Sequence, residues 1–210
     1  MVGAAPGEDA EVPVVEELVE ETSVSVDTSK PPLARRAIEL GVDYLNVVTG
    51  FENPEMVDLA AEGSVNIIIM HMQGTPSTMQ NNPTYDDVVN DVKQYLAARA
   101  EKLIDAGVEE DRILVDPGIG FGKTLEHNRR LLRNVGSIKE LGFPVLVGHS
   151  RKSFVGDVTG EPAEGRQPGT LATSVLLMEQ DVDVLRVHDV AEHVQARAIQ
   201  NWLRGEGDQR

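Results

Sequence analysis

The chain reads as an α/β protein of the (β/α)8 TIM-barrel type, incomplete, with about six βα units present. Three observations predict this. Short apolar runs recur along the chain, and each is followed by a helical pattern. The runs are apolar along their length instead of alternating, as expected of parallel strands buried on both faces. Each run stops at polar residues, and polar groups meeting at one end of a parallel sheet is how a barrel builds its site.

The clearest unit is Ile113-Leu114-Val115-Asp116-Pro117-Gly118-Ile119-Gly120-Phe121-Gly122-Lys123. An apolar run of strand length stops at one carboxylate. Pro-Gly ends the strand, and glycines let the loop pass close to whatever the carboxylate binds. A helix is expected from about Leu125.

The other elements follow in order. Residues 1–22 read as an irregular segment with a short helix over 12–19. A first strand over 24–26 ends at Asp27-Thr28-Ser29-Lys30, and Pro31-Pro32 opens a helix to residue 40, closed by Gly41. The second strand, 44–48, carries Asn46, and Asn53-Pro54 starts a helix to residue 62. The third strand, 66–70, runs into His71-Met72-Gln73-Gly74. After a polar loop, Thr84 and Asp87 have capping-box spacing. Tyr85, Val88, Val92, Leu96 and Leu103 then mark one helical face as far as Gly107. The fifth strand, 145–147, ends at Gly148-His149-Ser150-Arg151-Lys152-Ser153, and a Gly/Pro-rich loop leads to a helix over 167–180. The sixth strand, 184–187, holds Arg186 and ends at His188-Asp189. A helix over 191–203 and a tail at 205–210 complete the chain. No linker divides residues 23–204, which read as one barrel domain.

With 210 residues, 40% of them hydrophobic, the chain can bury a real core, but aromatics are only 4%, so Val, Ile, Leu and Ala must pack it. No apolar run reaches the length of a membrane span, and the N-terminal stretch lacks signal-peptide character, so a cytoplasmic location is expected. No Cys is present, which excludes a disulfide frame and a thiolate metal site. Thirty-five acidic residues against 19 basic ones give a net charge of −16, and a field of that sign disfavours nucleic acid and anionic membrane as partners. Only 6 of the 19 basic residues are Lys. Few Lys among many Asp and Glu fits a surface made for a high-salt cytoplasm.

The strand ends offer two kinds of chemistry. Asp27, Asn46 and Asp116 supply acceptors and an amide, suited to a flat heterocycle bearing N–H donors. Lys152, Arg186 and His188 lie on the last two strands, where barrels often hold phosphate. In so acidic a protein, cations gathered there suggest an anionic ligand. Structural roles stay open for each: carboxylates cap turns, Asn46 can satisfy a buried backbone group, and His71 can fill a core position. The stretch Gly118 to Thr124 imitates a phosphate loop, but that motif needs its first Gly where Pro117 stands.

Five segments together resemble the dihydropteroate synthases of the pterin-binding family. They are Ser25-Val26-Asp27-Thr28-Ser29-Lys30, Met70-His71-Met72-Gln73-Gly74, Asp116 to Lys123, Ser150-Arg151-Lys152-Ser153 and Arg186-Val187-His188-Asp189. They stand in family order from about residue 12 onward. The resemblance implies a transferase of folate biosynthesis. It joins 6-hydroxymethyl-7,8-dihydropterin diphosphate to 4-aminobenzoate, giving 7,8-dihydropteroate and pyrophosphate. It implies that Asp27, Asn46, Asp116 and Lys152 hold the pterin, and that Phe121 and Ser150, with Lys152, lie near the aminobenzoate. Arg186 and His188 would hold the diphosphate and, with Lys152, serve catalysis. It also implies Mg²⁺ as cofactor and a homodimer as an assembly met among relatives.

Two departures qualify the match. The family barrel has two βα units before the strand at 24–26, and their loops, one carrying an Asn that ligates magnesium, have no counterpart here. No metal ligand is therefore expected in this chain, residues 3–7 would be a remnant of the second loop, and activity of this chain alone is an open expectation. Val47 and His149 also stand where relatives often carry Asp, and Met or Thr. Two other functions stay in view. A methyltetrahydrofolate-dependent methyltransferase would share the pterin pocket but has no use for a pyrophosphate site. A non-catalytic pterin-binding subunit would bind without turnover. The charge makes its own prediction. Salt screens self-repulsion, so the melting temperature should rise from low to molar KCl; a fall would refute the high-salt surface.

Overall fold

The computed structural model describes residues 12–206. Six parallel strands alternate with helices. Helix α1 (Val12–Leu18) precedes β1 (Ser25–Asp27), α2 (Pro31–Glu39), β2 (Tyr44–Val47), α3 (Pro54–Glu62), β3 (Asn66–Met70) and α4 (Val88–Asp105). Then come β4 (Ile113–Asp116), α5 (Leu125–Arg133), α6 (Val135–Lys139) and β5 (Leu146–Gly148). The chain continues with α7 (Ser153–Thr159), α8 (Gln167–Met178), β6 (Val184–Arg186) and α9 (Val190–Arg204). Strands β1 to β4 pair in sequence order, β5 pairs with β6, and a bridge from Val115 to Val145 joins the two sets. Among the described residues nothing pairs β6 with β1, so the barrel is open there.

Why the strands are apolar throughout follows from their two faces. Val26, Leu45, Val47, Ile67, Ile69, Ile113, Val115, Val145 and Val147 pack outward into the main core. The other face points to the barrel interior. There Ile68, Leu114 and Leu146 form a second cluster with Tyr44. Register extends this inner face. Asp27 stands beside Asn46, Asn46 beside Ile68, Met70 beside Asp116, and Gly148 beside Arg186. Side chains alternate along a strand. Asp27, Asn46, Asp116 and Arg186 therefore project inward, each at or near its strand's C-terminal end.

Three expectations are corrected. The sixth strand is not buried on both faces: Val184 is exposed and Leu185 and Arg186 are half-buried, because one edge of β6 is bare. Helix α4 starts at Val88, with Asp87 rather than Thr84 as its cap. The Asp87 carboxylate accepts from the backbone N–H of Val89 and Asn90 at 3.1 and 3.4 Å. Thr84 is taken instead by Gln73, which accepts from its N–H at 3.1 Å and donates to its carbonyl at 2.8 Å. Helices α6 and α7 were not legible, because five and seven residues are too short to show a helical period. The expected loop remnant at 3–7 lies outside the described residues.

Candidate active site

The site is built from strand ends. The Asn46 amide donates to Asp27 Oδ2 at 2.9 Å, and an Arg186 guanidinium nitrogen lies 3.9 Å from the same oxygen. Asp116 is 1% exposed; its Oδ1 accepts from the Gly118 N–H at 2.7 Å. Asp116 Oδ2 and Asn46 Oδ1 are buried and have no hydrogen-bond partner among the described residues. Leaving two such acceptors dry and unpaired is costly. Both belong to the barrel's inner face, so a ligand with N–H donors placed between them would satisfy both.

The cations stand across the opening. Lys152 donates to the Ile119 carbonyl, and its ammonium lies 4.4 Å from the centre of the Phe121 ring, a cation–π contact. Burial pushes the Lys152 amine down to about 8; the Asp116 carboxylate opposes this and the Arg186 charge adds to it. Arg186 lies over Gly148. A Cβ there would come within 2.9 Å of two guanidinium nitrogens, so any larger residue would displace the Arg186 side chain. Ser150 Oγ accepts from the His188 N–H at 3.3 Å and lies 2.8 Å from His188 Nδ1. Arg151 turns away to fork onto Asp189 at 2.7 and 3.2 Å. Its φ of +56° is the left-handed turn that lets Ser150 and Lys152, on either side of it, face the opening.

Every site residue expected from sequence is thus brought to one end of the sheet, with Ser150 placed as a support for His188. Below them lies an apolar cavity of about 570 Å³, lined by Tyr44, Ile68, Leu114, Leu146 and the inner face of α9, and continuous with the gap between β6 and β1. Two groups escape sequence reasoning. Lys123 belongs to the false phosphate loop, yet it is 3% exposed and bonded to His71. His149 stands out in the sequence only as a departure from relatives, yet it is fully buried with Nε2 2.7 Å from Ser174 Oγ. The one signal for either is a polar residue set inside an otherwise apolar or glycine-rich strand end.

These histidines make stability acid-sensitive. Burial, aided by the Lys123 charge and opposed by a backbone hydrogen bond, holds His71 at about 3. Burial, opposed by backbone hydrogen bonds, holds His149 at about 4. Both values lie below the unfolded value of 6.5, so on acidification the unfolded chain takes up protons before the native one does. Stability is therefore present above pH 6.5 and is lost as pH falls toward 4. For His149, the difference between folded and unfolded chain corresponds to about 3 kcal/mol. The melting temperature should drop between pH 7 and 4, and His149→Met should flatten the drop; an equal drop in the variant would contradict this assignment.

Comparison with known proteins agrees with this geometry. Residues 8–188 match the family model described as pterin binding enzyme. The dihydropteroate synthase of Escherichia coli (strain K12) is 38% identical over 190 residues, which cover 90% of this chain and 67% of that protein. That of Synechocystis sp. is 40% identical over 197 residues, covering 91% and 68%. The chain thus spans about two thirds of the length of these relatives. Among solved structures, the Thermus thermophilus dihydropteroate synthase in complex with 6HMPPP superposes with a TM-score of 0.90 at 42% identity, covering 96% of this chain and 82% of that one. The Xanthomonas albilineans enzyme in complex with 7,8-dihydropteroate gives 0.86 at 38%, covering 92% and 72%. With the motifs, the inward-facing strand ends and these likenesses in agreement, the chain belongs to the dihydropteroate synthase family of pterin-binding enzymes.

Proposed function

We propose that this chain carries the pterin-holding and leaving-group side of a dihydropteroate synthase site. The reaction displaces pyrophosphate from 6-hydroxymethyl-7,8-dihydropterin diphosphate by the amine of 4-aminobenzoate. One C–O bond breaks, one C–N bond forms, and the amine proton passes to solvent. The observation that carries this is the pair of buried acceptors without partners among the described residues, Asn46 Oδ1 and Asp116 Oδ2. They match the N–H edge of a pterin, with Asp27 and Lys152 completing its frame. Arg186 and His188 take the diphosphate. The Arg186 charge and the N–H groups of both are set before the reaction, so they stabilise the negative charge growing on the departing oxygen without reorganising. Phe121, with the Lys152 ammonium over its ring, offers a flat face and a cation to an aromatic carboxylate.

Mg²⁺ belongs to this proposal as a companion of the diphosphate. Among the described residues no group of three His, Asp or Glu side chains suited to a metal gathers. The donors here are Arg186, His188 and Ser150, which suit phosphate oxygens and not a dication. A cytoplasmic setting accords with the substrates and with the lack, among the described residues, of any helix long and apolar enough to cross a membrane.

A homodimer is part of the same proposal. An apolar groove of about 730 Å³ crosses α5, α7 and α8, and its rim exposes Leu125 at 43%, Val158 at 71% and Leu176 at 65%. Contiguous apolar surface of this kind marks association, and a second copy of the same face would cover it isologously. Light scattering should give a dimer that Leu176→Glu converts to monomer; a monomeric parent protein would refute it.

The deciding experiment is pyrophosphate release in molar salt with Mg²⁺, dihydropterin diphosphate and 4-aminobenzoate, against controls without the amine. Release that requires the amine is expected. Binding of dihydropterin diphosphate without turnover would make the chain a pterin-binding subunit instead. Asp116→Asn and Lys152→Ala should each weaken pterin binding on the order of 100-fold, the worth of a buried charge-assisted contact. Unchanged affinity in either, by calorimetry, would place the pterin elsewhere.

A further inference from the structure

Among the described residues, Lys123 hydrogen-bonds to none of the side chains assigned above to substrate. Its ammonium donates to three acceptors: His71 Nδ1 at 2.9 Å, the Phe121 carbonyl at 2.9 Å and the His71 carbonyl at 3.4 Å. An ammonium has three protons and no acceptor, so this set satisfies it completely inside the protein. The bond to His71 Nδ1 puts that ring's own proton on Nε2. The Phe121 carbonyl belongs to the loop after β4, and His71 stands at the end of β3. Lys123 therefore ties the loop to the neighbouring strand from beneath.

We propose that Lys123 is a positioning residue for the aromatic amine, setting the pose of Phe121 by clamping the loop after β4 to the end of β3.

The loop's amides are held at Gly118 by Asp116, at Gly120 by Asn128 and at Phe121 by the Gly118 carbonyl, which leaves most of its carbonyls to side-chain clamps. Gly118, Gly120 and Gly122 all have positive φ, so the segment makes neither helix nor strand. Side chains hold its carbonyls instead. Lys152 takes that of Ile119, Gln80 that of Gly120 at 2.8 Å, and Tyr85 that of Gly122 at 2.7 Å. Gln80 and Tyr85 come from the polar segment before α4. Among the described side chains, Lys123 alone takes Phe121's own carbonyl, and it does so from a site that is 3% exposed. The pterin groups Asp27 and Asn46 sit on strands paired by ladder hydrogen bonds and need no such help. The clamp thus bears more directly on the amine than on the pterin, whose groups Asp116 and Lys152 meet the same loop at the Gly118 N–H and the Ile119 carbonyl.

The electrostatics agree. Burial brings the Lys123 amine down to about 7, opposed by the Asp116 carboxylate and aided by the Lys152 charge. Burial thus works against the charged form, and the Asp116 carboxylate and the three acceptors oppose that loss.

This inference rests on the synthase reading, and the test separates the two. Lys123→Met keeps the volume and strips the donors. In the ligand-free protein, amide hydrogen exchange over residues 118–123 should accelerate about tenfold or more, while the β3 and β4 amides hold. In steady state, KM for 4-aminobenzoate should rise about tenfold or more, with KM for dihydropterin diphosphate moving less than about threefold. His71→Leu, which removes one acceptor and leaves Lys123, should shift both readouts the same way by less. Unchanged exchange in Lys123→Met, or equal rises in both KM values, would overturn the inference. A parent protein without turnover would fail the synthase reading, and the exchange result would still decide whether Lys123 clamps the loop.

Discussion

The parallel register of six short strands is the constraint on which everything else rests. Because partners across a parallel ladder point to the same side, one inward face is defined from β1 to β6. Apolar residues fill that face low in the strands, at Ile68, Leu114 and Leu146. Polar ones occupy it at the top, at Asp27, Asn46, Asp116 and Arg186. A slip of one residue in any strand would send its polar end outward into the helix layer, where a carboxylate or guanidinium would meet the aliphatic core. Folding and site assembly are therefore a single event.

Loops then complete what the strands begin, and their geometry is enforced by close approach. At Gly118 a Cβ would collide with the His71 carbonyl oxygen, so only glycine lets the loop after β4 cross the end of β3. Gly148 gives the Arg186 guanidinium space that a larger residue would take from it. Having given up side chains to gain proximity, the loop recovers rigidity from buried or half-buried donors, Lys123 and Lys152 among them. The two lysines face a single buried carboxylate at Asp116, and burial lowers both amines. The Asp116 carboxylate opposes that loss of charge at both positions.

How much of this was legible depended on the range of the signal. The strands were legible because burial on both faces leaves unbroken Val, Ile and Leu runs, and the gathering of polar side chains at one end of the sheet because each run stops at a polar residue. The family was legible in motifs that keep their order. Short helices such as α6, and the cap of α4, were not, since a few residues carry no period and Asp87 competes with Thr84 as the first oxygen able to reach free N–H groups. The exposure of β6 was missed because apolar composition reports what a strand is suited to pack against, not whether the neighbour is there.

By itself, then, the sequence determined the βα alternation, the parallel sheet, the family and the polar residue at each strand end, because these follow from local pattern and spacing. Only the tertiary structure decided which of those residues share a partner. Asn46 leans on Asp27, Ser150 on His188, and Lys123 on His71, contacts that span 19, 38 and 52 residues of chain. The physical reason is that local pattern records a residue's own burial and conformation. A hydrogen bond between distant strands exists only once register and loop closure have brought both ends within about 3 Å.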